Sequence, residues 1–404
     1  MKNLFPEQEL SKNMFYKYLI ISILFLSLIA SNINSVKMNS LNEISLIFNF
    51  GLFKINIIYL FLTLATFIIA IFILNKKLVN KNAIITFIIL YMAYHLASLG
   101  VSIVKGQEIT ANVVTIVFYP VFALLFLIKN FNIKNNIFYL LSRIKLFLYL
   151  GILIGILAFV AKRDVQFLDL LNIALFYLSF EFFERKNIKA ILPVIGLAFV
   201  SGFNLTWLFT FLFLLMLAIL YYLKHFNFRK IIIIFTVFLL IFYTATFFGL
   251  FEYSGFLKFP AKERFSQSEL FRSTGRTALW QKYIFKYNSG PDELLFGHGT
   301  GFRFIAPPAD ISVGHLHNIF FDEFYKRGIV GLLLLSFIII ISLKAHAPTY
   351  LKVVLMVFLI YGQSDLIIFG GISGMFFWMV LGMLNNIKIN YAIENKNLSF
   401  SAGK

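Results

Sequence analysis

The sequence predicts an all-α integral membrane protein with roughly twelve transmembrane helices and one large outer loop. Its composition and its length lead to this prediction. Hydrophobic residues make up 60% of the 404 residues, and charged residues only 13%. A soluble domain carries about 25% charged residues, so a soluble globular fold is excluded. At about 20 residues per span, a chain of this length holds about ten to twelve helices and one sizeable loop.

Twelve hydrophobic runs are candidate spans. The first follows several lysines and is not followed by a clear cleavage site, which indicates an uncleaved signal anchor. The stretch 190–223 is too long for one helix, and we expect a turn at 201–204 because Gly and Asn favour turns. In chain order, the predicted spans lie near 16–31, 54–74, 83–104, 112–128, 146–161, 167–183, 190–200, 204–223, 231–250, 329–343, 351–368 and 371–385.

Positive charge sets the predicted orientation. The formal net charge is +18, and most lysines and arginines lie in short turns between helices. This distribution is typical of topology control rather than of nucleic-acid binding. The basic turns 75–81, 129–145, 184–189 and 224–230 fall on one side only if 190–223 is a helical hairpin. Both termini are then cytoplasmic, with nine spans in 1–250, an outer loop at 251–328, three spans in 329–385 and a cytoplasmic tail at 386–404.

Few ionisable residues lie inside the predicted spans, and the main ones are His95, Asp169, Glu181 and Asp365. A charge in a bilayer costs several kcal/mol unless it is hydrated or paired, so such residues usually mark a cavity. On the predicted topology all except Glu181 lie toward the outer leaflet, and Arg163 lies in a short outer turn. Asp169, Asp365 and Arg163 are therefore candidate substrate-binding residues. Interfacial snorkelling near helix ends is the alternative for each of them.

The outer loop begins its polar part with a predicted helix from Thr274 to Asn288. Arg272, Arg276 and Trp280 are spaced by four residues, so within or just ahead of this helix they share one face. Two guanidinium groups one turn apart suit a phosphate, because each offers a planar fork of donors and keeps its charge. An exposed basic face that meets anionic lipid is the alternative.

A glycine-rich stretch follows at 294–302, with Gly297, Gly299 and Gly301 at alternate positions around His298. It is not a phosphate-binding P-loop, because no Gly-Lys-Ser or Gly-Lys-Thr follows. It is not a dinucleotide fingerprint either, because no strand–turn–helix unit surrounds it. Glycines at this spacing allow close approach of the backbone, so the pattern favours a tight loop.

The third element, at 315–328, leads directly into a span. His317 and Asn318 are expected to start a helix that turns Phe321 and Phe324 toward the membrane, and 326–328 to form an interfacial break. A histidine at a helix start can take a proton from a hydroxyl group or donate to a phosphate oxygen. His315 and His317 are two residues apart, and no Cys or HExxH pattern completes a metal site.

The order of these motifs resembles the O-antigen polymerase and ligase superfamily. The arginine pair, the glycine turn and the His317-Asn318 start with later Gly328 and Gly331 follow one another before a membrane span, over roughly 268–331. The resemblance implies a fold like that of the C-type glycosyltransferases. It also implies transfer of glycan from a polyprenyl diphosphate donor at the outer face of a bacterial inner membrane.

By position, the resemblance makes Arg276 and His317 the catalytic arginine and histidine of the loop, with Arg272 as their companion. Many members also carry Ser-Arg where this chain has Ser201-Gly202, so another cation replaces that arginine or the correspondence is shifted there. The candidate substrate-binding residues are Arg303, Arg163, His298, His315, Trp280, Asn318, Asp365 and Asp169.

Taken together, these features predict a glycosyltransferase that needs no metal and no cofactor. Arginines stabilise the departing diphosphate, and a histidine or a nearby carboxylate orients the acceptor hydroxyl. The resemblance implies polymerisation of undecaprenyl-diphosphate-linked repeat units into a surface polysaccharide, either O-antigen or capsule. An O-antigen ligase acting on lipid A core is the first alternative, and a flippase or other transporter is the second.

The expected partners follow from that activity. They are the lipid-linked donor and acceptor, membrane lipids, and a chain-length regulator and a flippase of the same pathway, with no nucleic acid.

Overall fold

The computed structural model describes ten α-helices and seven short strands in part of the chain. The described residues are 18, 21–22, 32–34, 47–50, 53–56, 83–107, 109–110, 116–127, 133–160, 164–201, 205–225, 227, 230–233, 236–237, 279–285, 290–306, 311–316, 318–363 and 371–386.

Helices dominate the described residues. They are α1 (Ala83–Val104), α2 (Val121–Phe126), α3 (Ile133–Val160), α4 (Leu168–Phe183), α5 (Ile191–Ser201), α6 (Leu205–Tyr222), α7 (Pro291–Phe296), α8 (Ile319–Lys344), α9 (Thr349–Tyr361) and α10 (Gly371–Leu384), with a 3-10 turn at Ile188–Ala190 and a π-helical turn at Gln281–Phe285.

Three described helices are long and apolar enough to cross a membrane, namely α1, most of α3 and α8. Five shorter helices are also apolar, in 116–126, 188–201, 210–222, 349–361 and 373–384. The prediction of a helical membrane protein is confirmed. The count of twelve spans and the C-type glycosyltransferase fold stay predictions.

Several predicted boundaries coincide with the observed ones. The span predicted at 83–104 is α1, and the span at 167–183 is α4 apart from its first residue. The long stretch 190–223 divides as expected, since α5 ends at Ser201 and α6 begins at Leu205. The predicted spans near 16–31, 54–74 and 231–250 lie largely outside the described residues.

The centre of the bundle consists of α4, α9 and α10. Residues 170–183 of α4 are all buried, as are nearly all of α9 and residues 373–384 of α10. A helix that is apolar on every side belongs in such a centre. Around it pack α2, which contacts α10, and α6 and α3, which contact α4.

Short β-strands form in the segments that connect the helices, and the all-α prediction did not include them. Strand β1 (Asn32–Asn34) pairs antiparallel with β5 (Asp164–Gln166). In a second sheet β2 (Ile47–Phe50) pairs with β3 (Phe53–Asn56), and β3 pairs in parallel with β4 (Ile109–Thr110). In the motif region β6 (Phe304–Ala306) pairs antiparallel with β7 (Ile311–Val313).

Polar contacts between helices lie at both ends of the helical bundle. At one end Ser373 of α10 donates to Asp169 of α4 at 2.5 Å, and the sheets join connections that were predicted to lie outside. At the other end Asn386 donates to the Phe126 carbonyl at 2.6 Å, between segments predicted to face the cytoplasm. We call the first the outer end. Its placement at the outer face of the membrane stays a prediction.

Candidate functional site

The site begins with the polar face of α1. Within an otherwise apolar helix, Tyr91, His95, Ser98 and Ser102 follow one another at intervals of three or four residues, and all four are buried. That spacing places them on one side of the helix. Tyr94 lies beside them, and together the five side chains are the polar face. They meet the segment 290–331, so this face is where the predicted outer loop docks.

The first half of α8 carries the second part of the site. Asn318 caps it, since its side-chain oxygen accepts from the backbone N–H groups of Phe320 and Phe321, each at 3.0 Å. The helix is broken at Gly328, where φ is 64° and ψ is −168°. We call Ile319–Arg327 the motif helix. The predicted helix start and the predicted break are both confirmed.

Four charged side chains of the motif helix are buried, which corrects the prediction that 326–328 meet an interface. Asp322, Glu323, Lys326 and Arg327 are each at most 2% exposed. They form two acid–base pairs at a separation of four residues, Asp322 with Lys326 and Glu323 with Arg327. Because the two pairs balance, the group can be buried without net charge.

The Glu323–Arg327 pair faces α1. A guanidinium nitrogen of Arg327 lies 2.6 Å from Glu323 Oε2, and the Tyr91 hydroxyl donates to the same oxygen at 3.0 Å. His95 Nε2 lies 3.4 Å from the other oxygen, Oε1. Arginine, hydroxyl and imidazole therefore surround one carboxylate in the interior.

The Asp322–Lys326 pair faces the strand connection instead. Lys326 Nζ lies 3.2 Å from Asp322 Oδ2 and donates to the Gly314 carbonyl at 2.6 Å. His315 Nδ1 lies 3.2 Å from Lys326 Nζ and 3.6 Å from Asp322 Oδ2. The Leu316 N–H donates to Asp322 Oδ1 at 3.1 Å. His315 thus contacts the pair directly, in the segment that leads to His317.

Leu294–Phe302, the glycine loop, packs against the break in α8. The N–H of His298 donates to the Tyr325 carbonyl at 3.1 Å, and the N–H of Gly299 to the Lys326 carbonyl at 2.9 Å. The Tyr94 hydroxyl donates to the Arg327 carbonyl at 2.7 Å. A helix break leaves such carbonyls without helical donors, and a buried carbonyl needs one. The tight-loop prediction is therefore confirmed.

Two glycines make this close approach possible. Gly297 has φ 78° and Gly328 has φ 64°, in the left-handed region that favours glycine. A Cβ at Gly297 would overlap the Lys326 carbonyl and the Arg327 nitrogen, and one at Gly328 would overlap the carbonyl of Leu295. Each glycine leaves room for the backbone of the other segment.

The glycine loop is also fastened to α1. Thr300 Oγ1 donates to Ser98 Oγ at 2.9 Å, and the Gly301 N–H donates to Ser102 Oγ at 2.8 Å. Just beyond α1, the Gln107 amide donates to the His298 carbonyl at 2.7 Å. The loop is thus held between α1 and the motif helix.

An aromatic cluster closes the site on its other side. It contains Leu279, Trp280, Phe304, Leu316 and Tyr325, with Tyr283, Phe302 and Phe321 packed on it. Trp280 is fully buried, and its indole donates to the Leu316 carbonyl at 2.6 Å. The ring of Phe321 lies 5.5 Å from that of Trp280. Phe321 is therefore half-buried against this cluster, and its predicted membrane-facing position stays a prediction.

Five of the predicted site residues lie outside the described part of the chain. They are Arg272, Arg276, His317, Arg163 and Asp365. The chain neighbours of His317 on both sides, Leu316 and Asn318, are buried in the site, and Trp280 follows Arg276 by four residues. The roles of the five residues stay predictions.

His298 lies within the site. Its ring stacks on Tyr325 with 4.2 Å between centroids, and Nδ1 lies 3.1 Å from the Tyr325 carbonyl. Because a carbonyl only accepts, Nδ1 carries the proton. Burial lowers the pKa of His298 below its ordinary value of 6.5. Its other ring nitrogen, Nε2, lies 4.0 Å from Glu293 Oε2.

The remaining predicted substrate-binding residues have different surroundings. Asn318 caps the motif helix and donates to the Gln363 carbonyl at 2.9 Å, while Arg303 is exposed. Asp169 accepts from the Ser373 hydroxyl and from the Ser373 N–H, so it joins α4 to α10 at the outer end. Within the described residues, no group of three or more His, Asp or Glu side chains is placed to hold a metal ion.

Sequence reasoning missed the polar face of α1 and the burial of the two charge pairs. It noted His95 as a single ionisable residue and did not use Tyr91, Ser98 or Ser102. The signal was present, because polar residues recur at helical spacing in α1 and acid–base pairs are four residues apart in the motif helix.

Comparison with known families bears on the same region. Residues 189–336 match the family model described as O-antigen ligase. Over this region the chain is therefore similar to the O-antigen ligase and polymerase superfamily. The predicted membership of the O-antigen ligase and polymerase superfamily is confirmed, and with it a multi-pass membrane protein of a glycan-transferring type. The match includes the glycine loop and the motif helix, whereas α1 lies before it. Comparisons with curated proteins and with solved structures give no match.

Proposed function

We propose that the protein polymerises lipid-linked oligosaccharide repeat units into a surface polysaccharide at the outer face of a bacterial inner membrane. The donor is a glycan on undecaprenyl diphosphate, and the acceptor is a second lipid-linked unit. The observation that carries this proposal is the assembly of the family's motif segments around the motif helix. The glycine loop, the aromatic cluster and the segment before Asn318 all pack on that helix.

The chemistry needs a stabilised leaving group. An acceptor hydroxyl oxygen attacks the anomeric carbon of the donor glycan, and the bond from that carbon to the diphosphate oxygen breaks. The polyprenyl diphosphate departs with the bonding electron pair. Arg276, with Arg272 as its companion, supplies fixed positive charge to this oxygen, in the role that a metal ion has in other transferases. No metal and no cofactor is required by this scheme.

The attacking hydroxyl also loses a proton. We assign its acceptance to His317, which precedes the cap of the motif helix. The buried neighbours of His317 support this assignment, because Leu316 and Asn318 are each held by hydrogen bonds to fixed groups, Asp322 Oδ1 and the Gln363 carbonyl. A general base is effective when its position is fixed relative to the hydroxyl.

Substitutions in the loop test these roles. Arg276→Ala should abolish transfer in folded, membrane-inserted protein, and Arg276→Lys should restore only part of it because lysine lacks the bidentate fork. His317→Ala should lose about 10²-fold or more. Lys282→Ala is the matched control, because Lys282 is an exposed cation of the same segment. Normal glycan extension by Arg276→Ala would remove the arginine from the mechanism.

Ligation is the second candidate, since the matched family model is described as O-antigen ligase. The donor and the site would be the same, and the acceptor would be lipid A core. Deletion in the native host followed by gel analysis of the surface glycan separates the two. A single repeat unit on the core indicates a polymerase, and loss of all attached glycan indicates a ligase. An unchanged glycan would contradict both.

A further inference from the structure

The motif helix is held from three directions. Toward α9, the Ile319 N–H donates to the Gly362 carbonyl at 2.9 Å, next to the bond from Asn318 to Gln363. Toward the strand connection, Asp322 and Lys326 bind the backbone at Gly314 and Leu316. Toward α1, Glu323 and Arg327 provide the contact. The strand-connection anchor lies inside the matched residues 189–336, whereas the end of α9 and α1 lie outside them, after and before the match.

The third anchor depends on Tyr91 and His95. Both are 0% exposed, and both meet the Glu323 carboxylate, Tyr91 at Oε2 and His95 at Oε1. Gly331 leaves room for this carboxylate, since a Cβ at that position would lie 2.8 Å from Glu323 Oε1. Glu323 in turn holds Arg327, whose carbonyl receives the Tyr94 hydroxyl. The contact therefore reaches from α1 to the last residue before the break in α8.

The balance of buried charges in the motif helix favours one protonation state of His95. Asp322, Glu323, Lys326 and Arg327 sum to zero, and a protonated His95 would add a buried positive charge without a further acid among the side chains described around it. A buried charge without compensation is strongly unfavourable. A neutral imidazole, with Nε2 at 3.4 Å from Glu323 Oε1, leaves the charge balance unchanged.

We propose that Tyr91 and His95 are positioning residues for glycan transfer. They touch neither donor nor acceptor. Through Glu323 they fix the motif helix against α1, and so fix the segment that carries His317. This inference rests on the proposed function. It places two determinants of the reaction in α1, which lies well before the matched residues. The helix ends at Val104, and the match begins at residue 189.

The test compares conservative and disruptive variants of purified protein in nanodiscs, with a lipid-linked glycan donor. Tyr91→Phe and His95→Leu should lower kcat by about tenfold or more while KM for the donor changes less than about twofold, because misplacement of a catalytic segment affects the chemical step. His95→Gln keeps a donor for Glu323 and should stay within about threefold of wild-type kcat. Such rescue separates positioning from simple filling of space.

Tyr222→Phe is the matched control. It also removes one tyrosine hydroxyl, which donates to the Phe182 carbonyl at 3.1 Å, away from the motif helix. Its kcat should equal that of wild type. Wild-type kcat in both Tyr91→Phe and His95→Leu would overturn the inference, as would equal losses in His95→Gln and His95→Leu. If His95→Leu does not fold, Tyr91→Phe and His95→Gln decide the question. A wild-type protein that transfers no glycan would instead contradict the proposed function.

Discussion

Breaking the Glu323–Arg327 pair should destabilise the protein more than removing the whole pair. Arg327 is 1% exposed and Glu323 is 0% exposed, so neither charge can reach water when its partner is lost. In Glu323→Leu the guanidinium stays buried without the carboxylate at 2.6 Å, and Tyr91 loses its acceptor. In Glu323→Leu/Arg327→Met no charge of the pair is left in the interior.

The single and the double variant should lose different amounts of unfolding free energy. Removing one partner of a buried pair costs about 3–5 kcal/mol, whereas replacing both by apolar residues is often close to neutral. The double variant should therefore recover most of the stability that Glu323→Leu loses. Glu181 and Arg185 form a matched Glu–Arg pair at the same separation of four residues, but Arg185 is 49% exposed. Glu181→Leu leaves an arginine that water can solvate, so its loss should stay below about 2 kcal/mol.

The free energy of unfolding can be measured by titration of the purified protein with SDS, followed by circular dichroism. The expected order of stability is wild type, then the double variant, then Glu323→Leu, with Glu181→Leu well above Glu323→Leu. A double variant no more stable than Glu323→Leu would show that the carboxylate stabilises something other than the arginine. A Glu323→Leu protein as stable as wild type would refute the buried pair itself.

Three further predictions follow from the site and the topology. Gly328→Ala should lower the free energy of unfolding by more than about 1 kcal/mol. Alanine disfavours φ 64°, and its Cβ would overlap the Leu295 carbonyl. A variant with the thermal stability of wild type would contradict the close packing. Because burial lowers the pKa of His298, the unfolded chain binds the extra proton, so stability should fall as the pH drops below about 6.5, and His298→Gln should lose that part of the slope. Phosphatase fusions should be active at Gly290 and inactive at the carboxyl end, and the reverse pattern would overturn the orientation.

Local patterns were enough for much of the fold. The bounds of α1 follow from an apolar run that ends at Lys105 and Gly106, and the division between α5 and α6 follows from Gly202 and Asn204. The break in α8 was predictable because Gly328 follows two charged residues in a helix that becomes apolar after it. Each of these features depends on residues close together in the chain.

The features that escaped prediction depend on distant residues. Lys326 and Arg327 at a helix end indicate an interface when only their neighbours are considered. Their burial depends on Asp322 and Glu323 and on α1, and Tyr91 precedes Glu323 by 232 residues. The pairing of Asn32–Asn34 with Asp164–Gln166 is non-local in the same way. Pairing of this kind leaves no periodic signal in either segment.

The most direct test of the central claim is transfer by purified protein in detergent, with undecaprenyl-diphosphate-linked repeat units as the only glycan. Excess EDTA should leave chain growth unchanged in the wild type, and Arg276→Ala should abolish it, because the arginine supplies the charge that stabilises the departing diphosphate. Lys282→Ala should extend chains normally under the same conditions. Complete loss of wild-type transfer in EDTA, restored by magnesium or manganese, would contradict the arginine mechanism and direct the search to Asp292, Glu293 and Asp310 as metal ligands.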